Sequence, residues 1–179
     1  MPSVTLKQAQ DLFNRCTNES CSPEGEPSGC IPFLYPDNGC WVRAHAMCRV
    51  MIAAGENPKK QWASGRLRVT TPNHPYCYRQ WIWHVAPTLQ VDTGAGPETY
   101  ALDPALFDRP VPLAVWKTAL GDRKATLNPS GADVFNYYLK TYDPAYAETE
   151  MLLEYYRNDL KLRAVGPHGP PPYNCPAPA

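Results

Sequence analysis

The sequence is short of net charge, of histidine and of long apolar runs, and each shortage removes a class of function. Seventeen Lys and Arg balance seventeen Asp and Glu, so no basic surface marks nucleic acid or an anionic membrane as the partner. No stretch approaches the roughly 18 apolar residues a membrane span requires, and the N-terminus lacks the apolar core of a signal peptide. With only four histidines, and a Cys16-x4-Cys21 spacing with no His beside it, a zinc site is a poor fit. What is present is the length of one domain, 179 residues, with 21 prolines and 7 cysteines. That cysteine usage suits an oxidising compartment, and an odd count leaves one thiol after six have paired.

Asp37-Asn38-Gly39 is turn chemistry, so a helix starts at or next to Cys40. Trp41, Ala44, His45, Cys48 and Ile52 then recur at helical spacing, and Gly55 stops the run. Cys40 thus falls where free backbone N–H groups and the positive end of the helix dipole meet, a position that favours a thiolate. Membership of a disulfide is the competing reading.

Before this helix, Ser3 can cap a first helix with Val4, Ala9, Leu12 and Phe13 as its stripe, ending near Asn14. A loop from Cys16 to Cys30 has too few apolar residues to hold itself together, which calls for disulfides. Ile31–Pro36 reads as an extended segment. After the Cys40 helix the period changes to alternation. Gln61–Ser64 and Leu67–Thr70 read as strands on either side of Gly65. Trp81–Ala86 is the strongest strand, with Trp81, Trp83 and Val85 on one face and Ile82, His84 and Ala86 on the other. Thr93–Pro97 turns the chain back into Thr99–Asp103 as an antiparallel hairpin, whose register decides whether His84 and Asp103 share a face.

The last third reads as helical. One helix runs from Pro112 to Leu120, and Val134, Phe135, Tyr138, Leu139 and Tyr142 form another helical stripe. Asp143-Pro144 then caps a longer helix with Met151, Leu152, Tyr155 and Tyr156 buried. The expected division is one catalytic domain over residues 1–165 and a Pro-rich tail over 166–179, which Cys175 can tether.

Four histidines make the search for a partner to Cys40 short. His168 lies in the tail and His74 between prolines, both poor anchors for a group that must be held accurately. His45 faces the packing side of its helix and reads as a core histidine satisfied by a backbone carbonyl. His84 sits mid-strand, ahead of a second strand ending at Asp103. A thiol, an imidazole and a carboxylate that fixes its tautomer make a candidate triad of Cys40, His84 and Asp103.

Three segments carry a resemblance: Asp37-Asn38-Gly39-Cys40-Trp41-Val42-Arg43-Ala44-His45-Ala46-Met47, Trp81-Ile82-Trp83-His84-Val85-Ala86 and Leu102-Asp103-Pro104-Ala105-Leu106-Phe107. Together they resemble the secreted bacterial protein glutaminases, which are protein-glutamine deamidases. Gly39-Cys40-Trp41-Val42 is also similar to the nucleophile segment of transglutaminases. The resemblance implies an α+β fold with a transglutaminase-like, papain-like core, in which a central helix bearing the nucleophile packs on an antiparallel sheet and further helices lie C-terminal. It implies Cys40 as nucleophile, His84 as acid/base and Asp103 as orienting carboxylate.

The chemistry these parts support is hydrolysis of a glutamine side chain to glutamate through a Cys thioester, which requires no metal or organic cofactor. Trp41, Trp81 and Trp83 can wall a slot for that side chain, although each is equally a core residue type. The expected partner is a protein or peptide with an exposed glutamine. The expected state is a secreted monomer whose leader is absent from this chain, with an inhibitory pro-segment ahead of Met1 left open. Transamidation or peptide hydrolysis on the same fold, and a non-enzymatic or toxin-associated binding module, remain alternatives. For the other cysteines the expectation is that Cys77 pairs with Cys48 and that Cys16, Cys21, Cys30 and Cys175 pair among themselves, with Cys40 alone unpaired.

Overall fold

The computed structural model describes residues 3–176. In chain order the elements are β1 (Val4–Thr5), α1 (Leu6–Asn18), α2 (Cys40–Ala53), β2 (Lys59–Thr70), β3 (Tyr78–Asp92), β4 (Pro97–Ala101), β5 (Val111–Pro112), α3 (Leu113–Ala119), β6 (Thr126–Gly131), β7 (Val134–Asn136), β8 (Thr141–Tyr142) and α4 (Ala147–Ala164). The fold is α+β. A sheet in the order β5-β4-β3-β2-β6 is antiparallel throughout, and β1 adds a short parallel pairing to β3.

Neighbouring residues on the two long strands point into different cores, as a two-residue period demands. Trp62 and Val85 join Ala44 of α2, whereas Ala63 and Ala86 join Trp116 and Leu120 at α3. The α2 side continues into the main core, where Val42, Ala46 and Met47 meet Phe13 of α1, Leu89 and Val91 of β3, and Leu153 and Tyr156 of α4. α2 is therefore enclosed by sheet and helices, with eight residues from Val42 to Met51 buried.

Several expectations change in detail. Thr5, not Ser3, caps α1, through a reciprocal capping box with Gln8, and the helix runs on to Asn18 because Ala9, Leu12, Phe13 and Cys16 all find core partners. The two strands around Gly65 are one strand, β2, with a register shift between Ser64 and Leu67 opposite Trp83 and Trp81. That bulge breaks the expected Trp81/Trp83/Val85 face. Trp83 and Val85 pack on the α2 side, while Trp81 joins the α3 side and stacks on His84 at 4.5 Å.

Val134–Tyr142 is a two-stranded hairpin and not a helix. The Asn136 side chain accepts from the N–H groups of Tyr138 and Leu139, and Lys140 adopts a left-handed φ of 55°, so local side-chain bonding outcompetes the helical stripe. A single C-terminal helix, α4, follows. Its buried side carries Leu153, Tyr156, Arg157 and Leu160, and the expected Met151 and Tyr155 are exposed. Asp143 lies four residues before α4 and accepts from the Thr149 N–H and hydroxyl.

The disulfides are Cys21–Cys30 and Cys77–Cys175. Cys48 does not pair with Cys77. It lies buried within α2, while the Cys77 loop reaches instead to the tail, where Tyr173 N–H also donates to Pro72 O. Cys16 and Cys48 stay reduced and buried, so Cys40 is one of three unpaired thiols.

Candidate active site

The turn that delivers Cys40 is fixed by its own residues. Gly39 has a φ of 75°, and a Cβ there would lie 2.5 Å from the Tyr156 ring, so both backbone and space demand glycine. Arg43 N–H makes the first helical bond to Gly39 O, and no side chain caps this end of α2. The N–H groups at Cys40 and just beyond it are left available to an oxyanion.

Asp37, three residues before Cys40, is held by two cations, Arg79 of β3 at 2.9 Å and Arg163 of α4, with the His74 ring at 3.3 Å beside them. His74 thus belongs to the anchoring of the turn.

β4 pairs with β3 only from Thr88 to Asp92, and the last contact along this edge is Leu102 N–H to Pro87 O. The chain then leaves the sheet and turns tightly, with Leu106 and Phe107 N–H both donating to Asp103 O. This register puts Asp103 beside His84. Its Oδ2 accepts from His84 Nε2 at 2.8 Å and from Trp116 Nε1 at 2.9 Å. His84 is sandwiched between Trp81 and Trp116, whose ring centroids lie 4.5 and 5.9 Å away.

With Nε2 committed to Asp103, Nδ1 is the nitrogen left for Cys40, and it is buried. Burial alone would lower the imidazole pKa. The Asp103 charge and hydrogen bond, with a smaller contribution from nearby Cys40, more than offset this and raise it to about 9. At Asp103, burial opposes ionisation but loses to the His84 charge, the bonds from His84 and Trp116, and the Arg43 charge, so its pKa is lowered. The pair is therefore a charged imidazolium and carboxylate at neutral pH.

Cys40 opens on a groove of about 330 Å³ lined by Asn38, Trp81, Ile82 and Trp83 among others. Trp81 and Trp83 thus stand on the groove, whereas Trp41 is not on its wall and packs behind Trp83 at 5.6 Å and against Tyr156 at 6.1 Å. Tyr138 from the β7–β8 connection packs on the same aromatic cluster, with its ring 5.2 Å from Trp83 and 5.8 Å from Trp62.

His45 lies apart from this group. Its Nε2 is 3.2 Å from Asp143 O, and its Nδ1 is 2.7 Å from the Lys60 amine. The neutral Nε2–H tautomer fits both partners, the carbonyl accepting and the ammonium donating. This is the carbonyl-satisfied core histidine expected from its helical position. Lys60 escaped sequence reading altogether, although a lysine in an apolar strand offered a signal.

A glutaminase family profile matches residues 9–120. The chain belongs to the glutaminase family. No curated protein sequence matches it. A crystal structure of protein-glutaminase is similar at 28% identity and a TM-score of 0.74, over 88% of this chain and 91% of that one. The solution structure of protein-glutaminase from Chryseobacterium proteolyticum matches at 28% identity and a TM-score of 0.74, over 85% of this chain and 86% of that one. A mutant pro-protein-glutaminase matches at 28% identity and a TM-score of 0.75, over 88% of this chain and 60% of that longer chain. The family and the fold make this glutaminase a protein-glutamine deamidase. No helix among the described residues is long and apolar enough to cross a membrane.

Proposed function

We propose that Cys40, His84 and Asp103 are the catalytic residues, and that deamidation proceeds through a thioester on Cys40. The observation that carries this reading is the buried His84–Asp103 hydrogen bond, which shares the wall of one small void with Cys40 at the uncapped start of α2. The Cys40 thiolate adds to the carboxamide carbon of a glutamine side chain. A C–S bond forms, and the carbonyl oxygen takes the electron pair while the N–H groups at the helix start hold it. Collapse breaks the C–N bond, and the proton on His84 Nδ1 goes to the departing nitrogen, which leaves as ammonia. Neutral Nδ1 then takes a proton from water as the water attacks the thioester, the C–S bond breaks, and glutamate is released. Asp103 holds the ring by Nε2 throughout. No step calls on a metal or organic cofactor.

Trp81 and Trp83 flank the glutamine side chain in this reading, and Trp41 supports Trp83 from behind. The substrate is an accessible glutamine in a protein or peptide. The enzyme works outside the cell as a monomer, and a pro-segment is its natural inhibitor, by analogy with the longer pro-protein-glutaminases that the chain matches. The test is a protein with exposed glutamines, incubated with this enzyme and an excess of a primary amine. Ammonia release with single-unit mass gains on glutamine and no cross-links is the expected result. Predominant amine incorporation would reassign the reaction to transamidation, and a cleaved backbone would reassign it to proteolysis.

A further inference from the structure

Arg43 lies one turn into α2 from Cys40 and is 3% exposed. Burying a guanidinium is costly unless it is paired or fully hydrogen-bonded, yet its bonding here is incomplete. Nη1 donates to Tyr35 O at 2.9 Å and to Asn38 O at 2.7 Å. Nη2 is buried with no hydrogen-bond partner among the described residues. Arg43 shares the wall of a void of about 10 Å³ with Cys40, His84 and Asp103. Burial lowers the Arg43 pKa, and the negative charges that oppose this are Cys40 first, then Asp103 and Asp37. The arginine thus grips two carbonyls of the turn that delivers the nucleophile, and its charge is answered by the two groups that are anionic in the reacting site.

We propose that Arg43 is a positioning residue for deamidation: it pins the Tyr35–Asn38 turn, and it supplies the fixed positive charge against which the Cys40 thiolate and the Asp103 carboxylate are held. This rests on the proposed roles of Cys40 and Asp103. Arginine suits both tasks, since it stays charged when buried and one nitrogen can serve two carbonyls, whereas lysine keeps the charge without the planar fork. The other titratable groups facing Cys40 are His84 from β3, Tyr138 from the β7–β8 connection and Tyr156 from α4. Among the groups facing Cys40 from α2, β3, the β7–β8 connection and α4, Arg43 is the cation that no proton transfer in the cycle can remove.

The two contributions separate in Arg43→Lys and Arg43→Gln. The readouts are the rate of Cys40 alkylation by iodoacetamide between pH 5 and 9, and kcat and KM for ammonia release from a glutamine peptide. Arg43→Lys should keep the alkylation profile of the native protein but lose about tenfold or more in kcat with KM little changed, because the turn is no longer pinned. Arg43→Gln should lose kcat further, and Cys40 should be alkylated several-fold more slowly than in the native protein across the range. A folded Arg43→Gln protein with the native alkylation profile overturns the electrostatic half, and native kcat in Arg43→Lys overturns the positioning half. Should Arg43→Gln fail to fold, Arg43→Lys decides: native kcat counts against the proposal and a kcat-specific loss supports it. Alkylation is read without turnover, so a protein that released no ammonia would sink the catalytic reading and still leave the role of Arg43 measurable.

Discussion

His84 and His45 are buried alike, at 1% and 2% exposure, and titrate in opposite directions. Burial pushes both down. At His84 an anionic partner, Asp103, and the Cys40 thiol reverse the effect and carry the imidazole to about 9. At His45 burial is reinforced by the Lys60 charge, against a weaker pull from Asp143, and the imidazole falls to about 4. Lys60 in turn is lowered to about 8, chiefly by its own burial. Two histidines of unlike chemistry thus stand at α2, one held charged beside Asp103 near the start of the helix and the other a neutral residue in its middle. What separates them is the charge of the neighbour, not depth.

Substitution breaks this comparison most sharply. In folded protein, His84→Ala should lower kcat by ~10²–10⁴-fold, the typical contribution of a general acid–base residue. His45→Ala should cost about 1–3 kcal/mol in urea unfolding, because it leaves Lys60 Nζ with Val134 O alone and opens a gap in the core, while kcat per folded molecule changes little. A kcat loss in folded His45→Ala equal to that of His84→Ala would erase the distinction.

The pH dependence of stability sharpens it. The folded pKa of His84 lies above the unfolded value of about 6.5, so its contribution is complete below that pH and is lost as pH rises through about 9. The folded pKa of His45 lies below the unfolded value, so its contribution is present above about 6.5 and is lost as pH falls through about 4. Urea midpoints of the native protein, each referred to the matching Asn variant, should therefore decline toward alkali for His84 and toward acid for His45. Parallel profiles would contradict the assignment.

Much of this site was legible in the sequence because its parts depend on local signals. The Asp37-Asn38-Gly39 turn dictates where α2 starts, and His84 lies within a strand too strongly patterned to mistake. The pairing of His84 with Asp103 was not legible, since it depends on β4 stopping at Ala101 and on the bond from Leu102 to Pro87 O, long-range facts that a loop of that length does not encode. The bulge that sends Trp81 and Trp83 to different cores was hidden for the same reason. Tyr138 reads as helical because Val134, Phe135, Tyr138, Leu139 and Tyr142 are helically spaced, and the deciding interaction, Asn136 closing the turn, competes with that spacing. The Cys77–Cys175 bridge spans 98 residues, and nothing local chooses it over Cys48.

The three unpaired cysteines extend the contrast to thiols. Burial raises Cys16 and Cys48 to about 12, whereas Cys40 stands on the groove. Brief iodoacetamide treatment of the native protein should label Cys40 alone, and treatment after unfolding without reductant should label Cys16 and Cys48 as well. Native labelling of Cys48 would show that the core around His45 opens more readily than its packing implies.

The most direct test of the central claim sets native protein beside Cys40→Ala on an unfolded substrate protein rich in glutamine, with ammonia and glutamate measured together. The account predicts equal ammonia and glutamate from the native enzyme, and none above background from a folded Cys40→Ala protein. Conversion by Cys40→Ala within tenfold of native, a difference of about 1.4 kcal/mol in barrier, would contradict it and place the nucleophile elsewhere.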